Sequence, residues 1–259
     1  MTPPPPSTVA EPPPTGRNVP GFEYPRPRSG AKLADVIYPD SDGQPMAENT
    51  LQFHYIVLLK QGFEHFFADR EDVFVAGDLL WYPVEGEPTI RFAPDVMVAF
   101  GRPKGYRGSY RQWEEGGIPP EFVIEVISPG NRAAEMGRKA AAYLKYGAKE
   151  YVIYDPDRGT LEVLVKDAMG DWEPVPDPNG WRSELTGIRF FLEGKSLIAV
   201  RPDGKKFEDY EEVMRRAAEE ARQKNEALKV AEESSRQKNE ALARAAALEA
   251  KLRAAGIEP

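Results

Sequence analysis

The sequence predicts an α/β fold with a mixed sheet, followed by a long C-terminal helix. Apolar residues recur at helical spacing in two segments, and short runs rich in β-branched residues lie between and after them. A polar, alanine-rich stretch closes the chain. The elements of the first part follow the order helix, strand, strand, strand, helix, strand, which is typical of a sheet covered by helices.

Composition excludes several classes of protein. The chain has 259 residues, 34 Lys+Arg, 42 Asp+Glu, a net charge of -8 and no cysteine. Without cysteine there is no disulfide framework, thiolate zinc site, iron–sulfur cluster or cysteine nucleophile. No apolar run approaches the roughly 20 residues of a membrane span. We therefore expect a soluble cytoplasmic protein with no membrane partner.

The chain divides into three segments. Residues 1–35 form a proline-rich arm, which we expect to be disordered or polyproline II. This arm is either a solvated leader or a ligand for an aromatic-lined groove. Residues 36–205 form the folded domain, and residues 206–259 form the C-terminal helix.

The folded domain begins with a helix. Apolar residues at three- and four-residue spacing from Ile56 to Phe67 predict a helix from about 50 to 68, with Asn49 or Thr50 as the N-cap.

Three strands follow this helix. Residues 73–82 and 90–100 are rich in apolar and aromatic side chains, and the turn at 85–88 predicts that they pair as a hairpin. Residues 121–128 carry β-branched side chains on both faces, which indicates a central buried strand.

A second helix and further strands complete the domain. Residues 132–146 are predicted to form a helix that Gly147 ends, and 151–156 the next strand. A right-handed crossover would place this strand parallel to the preceding one. Further strand-like pieces lie near 161–165 and 188–200.

The C-terminal segment contains an internal repeat. Residues 223–228 recur as 237–242, a displacement of fourteen residues or two heptads, within a helix predicted from about 208 to 253. A thin apolar seam follows heptad spacing and consists of Leu228, Ala231, Leu242, Ala245 and Leu252. Ser235, Lys238 and Glu249 interrupt it. The pattern favours a weak dimeric coiled coil, and hence a homodimer, over a solitary solvated helix.

Two acidic residues enter apolar strands. Glu125 lies within Phe-Val-Ile-Glu-Val-Ile, where an unpaired carboxylate is costly to desolvate, and Asp95 precedes Val-Met-Val. Each has an ordinary explanation, a buried salt bridge for Glu125 and a strand-start position for Asp95. Together they would converge at one place on the sheet and repel each other unless a cation lies between them. Oxygen ligands favour Mg²⁺ or Mn²⁺, which polarise a phosphate and activate water.

Other residues are weaker candidates. Lys139, in the helix after the Glu125 strand, is a candidate for the fixed positive group of such a site, with Tyr143 on the same helix face; the alternative is a solvated lysine. Asp78 is either a third carboxylate or a strand-edge charge. His54 and His65 are too far apart on one helix to share a metal, and His54 is a candidate base or phosphate contact.

Four motifs in order resemble the Uma-type restriction endonuclease family, within the PD-(D/E)XK nuclease superfamily. They are Pro94-Asp95, Glu125-Val126-Ile127-Ser128, Lys139-x-x-x-Tyr143-x-x-x-Gly147 and Glu150-Tyr151-Val152-Ile153-Tyr154-Asp155-Pro156. The resemblance spans about residues 45 to 200. It implies a restriction-endonuclease-like αβββαβ core in which Asp95 and Glu125 bind a divalent metal.

The chain departs from the superfamily at one position. Two residues after the glutamate the superfamily normally has lysine, and this chain has Ile127. The resemblance therefore implies that the basic role moves to Lys139 on the following helix, as it does across the family. Glu135, four residues before Lys139, receives no role.

Charge is distributed unevenly. Residues 101–150 hold nine Lys+Arg and six Asp+Glu, whereas residues 36–100 hold three and eleven. Within residues 101–150, four basic side chains are interspersed with three aromatic ones. The basic residues are Arg102, Lys104, Arg107 and Arg111, and the aromatic residues are Tyr106, Tyr110 and Trp113. This composition is suited to phosphate contact and base stacking, or to a solvated loop.

The sequence thus favours a Mg²⁺-dependent endonuclease acting on DNA, with Asp95 and Glu125 as metal ligands and Lys139 stabilising the transition state. One alternative is a catalytically inactive nuclease-fold interaction protein that assembles through its C-terminal helix. A second is a metal-dependent hydrolase of a small phosphodiester.

Overall fold

The computed structural model describes residues 36–41, 43, 45–130 and 133–254 of the chain. They fall into two compact units, one ending at Phe207 and the other beginning at Glu208. The proline-rich arm predicted at 1–35 lies outside the described residues. The elements, in chain order, are α1 (Thr50–Phe66), β1 (Val73–Ala76), β2 (Trp81–Tyr82), β3 (Val96–Phe100), β4 (Tyr110–Arg111), β5 (Phe122–Val126), α2 (Ala133–Tyr146), β6 (Glu150–Asp155), β7 (Thr160–Lys166), β8 (Trp172–Pro174), β9 (Arg189–Glu193), β10 (Ser196–Val200) and α3 (Tyr210–Ala254).

A six-stranded mixed sheet organises the first unit. Its strand order is β1-β3-β5-β6-β7-β8. β5 and β6 run parallel, and the other neighbours run antiparallel. The chain follows α1, β1, β3, β5, α2 and β6 through this sheet, so the expected αβββαβ core and its parallel crossover are both confirmed.

The sheet lies between two helices. Ile124 of β5 belongs to the apolar cluster that α1 covers with Leu59 and Phe63. The neighbouring Val123 belongs to the opposite cluster, which Tyr143 of α2 covers. Because successive strand residues point to opposite faces, β5 must be apolar at nearly every position. All five of its residues are buried, as the sequence predicted for a central strand.

The first helix begins as expected. The Asn49 side chain accepts a hydrogen bond of 2.8 Å from the backbone N–H of Gln52, so Asn49 is the N-cap.

The two strands after α1 are shorter than predicted. They pair antiparallel, but β1 ends at Ala76 and β3 begins only at Val96. The chain turns at Asp78, whose φ of 48° is in the left-handed region. Beyond this turn Trp81 still pairs antiparallel with Phe92, as the predicted hairpin requires, and Trp81–Tyr82 also pair in parallel with β4.

The elements after β5 are of the types that the sequence predicted. Gly147 ends α2 with a φ of 111°, and a Cβ there would lie 2.7 Å from Cγ of Pro119. The strand-like piece at 188–200 is two paired strands, with Gly194 between them at a φ of 62°. The long helix is confirmed as α3. No helix within the described part of the chain is long and apolar enough to cross a lipid bilayer.

Candidate active site

Asp95, directly before β3, lies opposite Glu125 of the neighbouring strand β5. The antiparallel register pairs Val96 of β3 with Ile124 of β5, so the residue before Val96 faces the residue after Ile124. Both acids are buried, Asp95 with 7% and Glu125 with 3% of its surface exposed. The structure therefore brings together the two carboxylates that the sequence singled out.

Asp95 is fixed by the backbone of the next strand. The N–H of Val126 donates to its Oδ2 at 2.6 Å. Burial, and then the negative charge of Glu125, raise the pKa of Asp95 well above its ordinary value, although the Val126 bond and the charge of Lys139 oppose them. Negative charge is therefore poorly compensated at this position.

Glu125 receives two hydrogen bonds from α2. Nζ of Lys139 donates to Oε2 at 2.8 Å, and the hydroxyl of Tyr143 donates to Oε1 at 2.5 Å. Residues four apart share a helix face, so one turn of α2 supplies both donors. The carboxylate orientation is thereby fixed, and each oxygen keeps a second lone pair for another ligand.

The donors hold their protons. Burial lowers the pKa of Lys139, but the charge of Glu125 and its hydrogen bond outweigh burial and place the pKa above its ordinary value. Burial, and then the charge of Glu125, raise the pKa of Tyr143 well above its ordinary value. Lys139 is thus an ammonium and Tyr143 a neutral hydroxyl at any physiological pH.

The donor set suits a hard divalent cation. Two buried carboxylates side by side repel each other, and a divalent cation beside them would offset that repulsion. Mg²⁺ characteristically takes one or two carboxylates and keeps several waters. No group of three or more His, Cys, Asp or Glu side chains within the described residues is placed to hold a metal ion. A cation at this place would have Asp95 and Glu125 as its carboxylate ligands and would keep waters at its other positions.

Asp78 approaches this pair through its backbone. Its N–H donates to the carbonyl oxygens of Pro94 at 3.1 Å and of Asp95 at 3.3 Å. After burial and the charge of Glu125, the charge of Asp78 is a smaller contribution that raises the pKa of Asp95. Asp78 thus adds negative potential at the end of β1.

The structure does not bring the histidines to the site. His54 and His65 are both exposed on α1. α1 packs on the sheet face opposite to α2, which carries Lys139. The side chain of His54 lies instead against the ring of Tyr55, with ring centroids 5.2 Å apart.

Gln52 of α1 and Glu48, which precedes that helix, contact the strand and loop that carry the site. Neither residue was identified from the sequence. Gln52, only 6% exposed, donates from Nε2 to the carbonyl oxygen of Val126 at 2.9 Å. Glu48 accepts from the hydroxyl of Ser128 at 2.5 Å and from the N–H of Gly130 at 3.1 Å. Gln52 lies four residues before the buried Ile56, and a polar residue on that apolar stripe was the available signal. Together they hold the loop that follows Glu125.

The basic and aromatic stretch from 102 to 113 is mostly engaged within the protein. Nε of Arg102 and Nε of Arg107 both contact Glu115, at 2.8 and 2.5 Å. Lys104 donates to the carbonyl oxygens of residues 67 and 68, at the end of α1. Tyr110 is buried and donates to the carbonyl oxygen of Ile118. These side chains stabilise the fold, while Tyr106 is 96% exposed.

Comparisons with known proteins give one family match and one similar crystal structure. A family model described as "Uma2: Putative restriction endonuclease" matches residues 37–192. A crystal structure of "a putative nuclease belonging to DUF820" from Anabaena variabilis is similar to 57% of this chain and 83% of its own, at 15% identity and a TM-score of 0.40. No curated protein matches the chain significantly.

Proposed function

Because the chain belongs to the Uma2 family, whose model spans most of its first unit, we propose that it is a metal-dependent endonuclease hydrolysing phosphodiester bonds of DNA. The observation that carries the proposal is the juxtaposition of Asp95 and Glu125, with Lys139 bonded to the second carboxylate. A mixed sheet with two adjacent carboxylates at a strand end and a nearby lysine supplies the groups that phosphodiester hydrolysis requires.

Asp95 and Glu125 would hold Mg²⁺ or Mn²⁺. When bound, the cation supplies a Lewis acid that polarises the phosphate and lowers the pKa of a bound water. The Val126 N–H orients the Asp95 carboxylate, and Tyr143 orients Glu125. These fixed orientations limit the reorganisation that metal binding requires.

Lys139 would stabilise the negative charge that develops on the phosphate. The charge of Glu125 and its hydrogen bond outweigh burial and raise the pKa of Lys139 above its ordinary value, so its side chain is an ammonium beside the carboxylate. Its side chain is 22% exposed, compared with 4% for Glu125, so it lies between the buried carboxylate and solvent. A fixed charge held in place before reaction stabilises the transition state without reorganising solvent.

Substitution of the two ligands tests the proposal. We expect Asp95→Asn and Glu125→Gln each to reduce Mg²⁺-dependent cleavage of plasmid DNA by at least about 100-fold, since each removes a proposed metal ligand. Glu173→Gln, a change on the exposed part of β8, is the matched control and should cleave like the wild type. Circular dichroism checks that each variant is folded, and calorimetry with Mn²⁺ measures metal binding.

Cleavage by both ligand variants at the wild-type rate would refute the assignment. A folded wild type that neither cleaves DNA nor binds Mn²⁺ would support the catalytically inactive interaction protein instead. Cleavage of model phosphodiesters, but not of polymers, would identify a hydrolase of small substrates. RNA offered in parallel with DNA tests the proposed substrate.

The proposal includes a homodimer. Of the described residues of α3, none is buried, and its apolar side chains repeat at heptad spacing. We expect sedimentation equilibrium to give twice the 28.9 kDa chain mass at high concentration. A mass of one chain at all concentrations would exclude self-association.

A further inference from the structure

α3 presents apolar side chains that the other described residues of its unit leave exposed. The helix has 45 residues, which corresponds to about 68 Å at 1.5 Å per residue. Leu228 is 52% exposed and Leu242 is 59% exposed, fourteen residues apart on the same face. Leucines repeated on one face of a long polar helix are typical of a helix that packs against another helix.

The seam on this face has two kinds of heptad position. The first kind, position a, contains Ala221, Leu228, Ser235, Leu242 and Glu249. The second kind, position d, contains Lys224, Ala231, Lys238, Ala245 and Leu252. Leucine, alanine and charged side chains therefore alternate along the seam, and the partner must accommodate all three.

A parallel partner in register accommodates them poorly. In that arrangement each seam residue faces its own copy. Lys224 would face Lys224, Lys238 would face Lys238 and Glu249 would face Glu249, so three layers would hold like charges. Like charges held at close range destabilise a pair.

An antiparallel partner accommodates them well in one register. With Leu228 opposite Ala245 of a second copy, Leu242 lies opposite Ala231 and Leu252 opposite Ala221. Each leucine then faces an alanine, and large side chains fill the space beside small ones.

The same register pairs the charges of the seam. Lys224 lies opposite Glu249, and twofold symmetry gives this ion pair twice. Lys238 lies opposite the small Ser235, which leaves space for its stem to extend to solvent. A shift by one heptad in one direction places Leu228 opposite Lys238 and Leu242 opposite Lys224. A shift in the other direction places Leu242 opposite Lys238 and Glu249 opposite Ala231, so both shifts lose these matches.

The overall charge of α3 also favours opposite directions. Residues 211–233 hold seven acidic and five basic side chains, whereas residues 236–253 hold two acidic and five basic ones. The first half is therefore net negative and the second half net positive. Antiparallel helices bring unlike halves together, and parallel helices bring like halves together.

We propose that α3 pairs with α3 of a second copy of this chain in an antiparallel two-helix coiled coil, with Leu228 opposite Ala245. This goes beyond the proposed homodimer by giving its direction and register, and it does not depend on nuclease activity. The chain has no cysteine, so introduced thiols report the pairing without background.

Cysteine cross-linking of the full-length protein tests the direction. Leu228→Cys and Ala245→Cys are made separately, one with a longer affinity tag so that mixed dimers have a distinct size. After oxidation of the mixture we expect a cross-link between the two variants, at least about tenfold more abundant than either self-cross-link, because facing thiols are within bonding distance. Self-cross-linking of Leu228→Cys would establish a parallel pair and overturn the inference. A monomer in sedimentation would overturn it together with the homodimer, while leaving the cleavage tests unaffected.

Charge exchange tests the register. Lys224→Glu places like charges opposite Glu249 in both ion pairs, and we expect the dimer dissociation constant to rise about tenfold. Adding Glu249→Lys should restore it, because the pair is then reversed. Lys229→Glu makes the same charge change beside the seam and serves as the control. Failure of the second substitution to rescue the first would refute the register.

Discussion

Lys139 of α2 and Glu125 of β5 form a partly buried ion pair, with Nζ 2.8 Å from Oε2. The two residues lie on consecutive elements, so the ion pair links the central strand to the helix that follows it. Tyr143, one turn further along α2, donates to the other oxygen of the same carboxylate. A single glutamate thus joins the candidate active site to the packing of α2 on the sheet.

Removal of the lysine should destabilise the fold. Lys139→Met leaves Glu125 with one donor, and we expect the free energy of unfolding to fall by about 3 kcal/mol, since an uncompensated buried charge remains. In the Glu125→Gln/Lys139→Met double variant part of this loss should return, with a coupling energy of about 1–3 kcal/mol. Urea denaturation measures both values. Arg138→Met, an exposed neighbour on α2, should change stability by less than about 0.5 kcal/mol. Additive losses in the double variant would contradict the pair.

Loss of the hydroxyl should change the stability of the protein in opposite directions at two neighbouring tyrosines. Tyr143→Phe removes the 2.5 Å hydrogen bond to Glu125, and we expect a loss of about 2 kcal/mol, as for hydrogen bonds to charged groups. The Tyr151 ring lies 5.3 Å from that of Tyr143, but its buried hydroxyl has no hydrogen-bond partner among the described residues. Tyr151→Phe should therefore be neutral or stabilising by up to about 1 kcal/mol. Thermal unfolding of both variants checks this, and equal losses would count against it.

Replacement by alanine should have opposite effects on stability at Gly137, within α2, and at Gly147, which follows its last residue. Gly137 lies within the helix, and a Cβ there would have nothing within 4 Å. Gly137→Ala should stabilise the protein by about 1 kcal/mol, because alanine loses less conformational entropy in a helix. Gly147→Ala should destabilise it by at least about 1 kcal/mol, because the residue needs a positive φ and its Cβ would clash with Pro119. Chemical denaturation gives both values, and stabilisation by Gly147→Ala would contradict the observed backbone.

Glu115 should contribute stability that depends on pH. Burial raises its pKa, but the hydrogen bonds and charges of Arg107 and then Arg102 outweigh burial and hold the pKa of Glu115 below its ordinary value. Because the folded pKa is lower than the unfolded one, the contribution is fully present above the unfolded value of about 4.3 and disappears as pH falls through the folded value.

We therefore expect Glu115→Gln to lower the free energy of unfolding by about 2 kcal/mol at pH 7. The difference from wild type should shrink steadily below about pH 4, as wild-type Glu115 becomes protonated. Urea denaturation between pH 3 and pH 7 measures it. Glu114→Gln, an exposed neighbour whose ion pair with Arg111 is long at 3.3 Å, is the control. A difference that does not change with pH would refute the electrostatic origin.

The sequence determined the order and type of the elements because each is encoded by local periodicity. Apolar residues at helical spacing from Ile56 onward predicted α1, and apolar residues on both faces of one short segment predicted β5. The same local pattern identified Asp95 and Glu125, since a carboxylate in an apolar strand is costly wherever that strand packs. The position of Lys139 in the helix after the Glu125 strand made it only a weak candidate, because a lysine on a helix surface has no distinguishing local signal, and the resemblance strengthened it.

Tertiary structure alone decided which side chains meet. The antiparallel register of β3 and β5 places Asp95 opposite Glu125, and the crossover aims Lys139 and Tyr143 at the same carboxylate. The strands β1 and β3 are shorter than predicted, and Glu115 forms ion pairs with two arginines that composition alone assigned to phosphate contact or solvent. The reason is physical: periodicity depends on neighbours along one chain segment, whereas register and ion pairing depend on residues far apart in sequence.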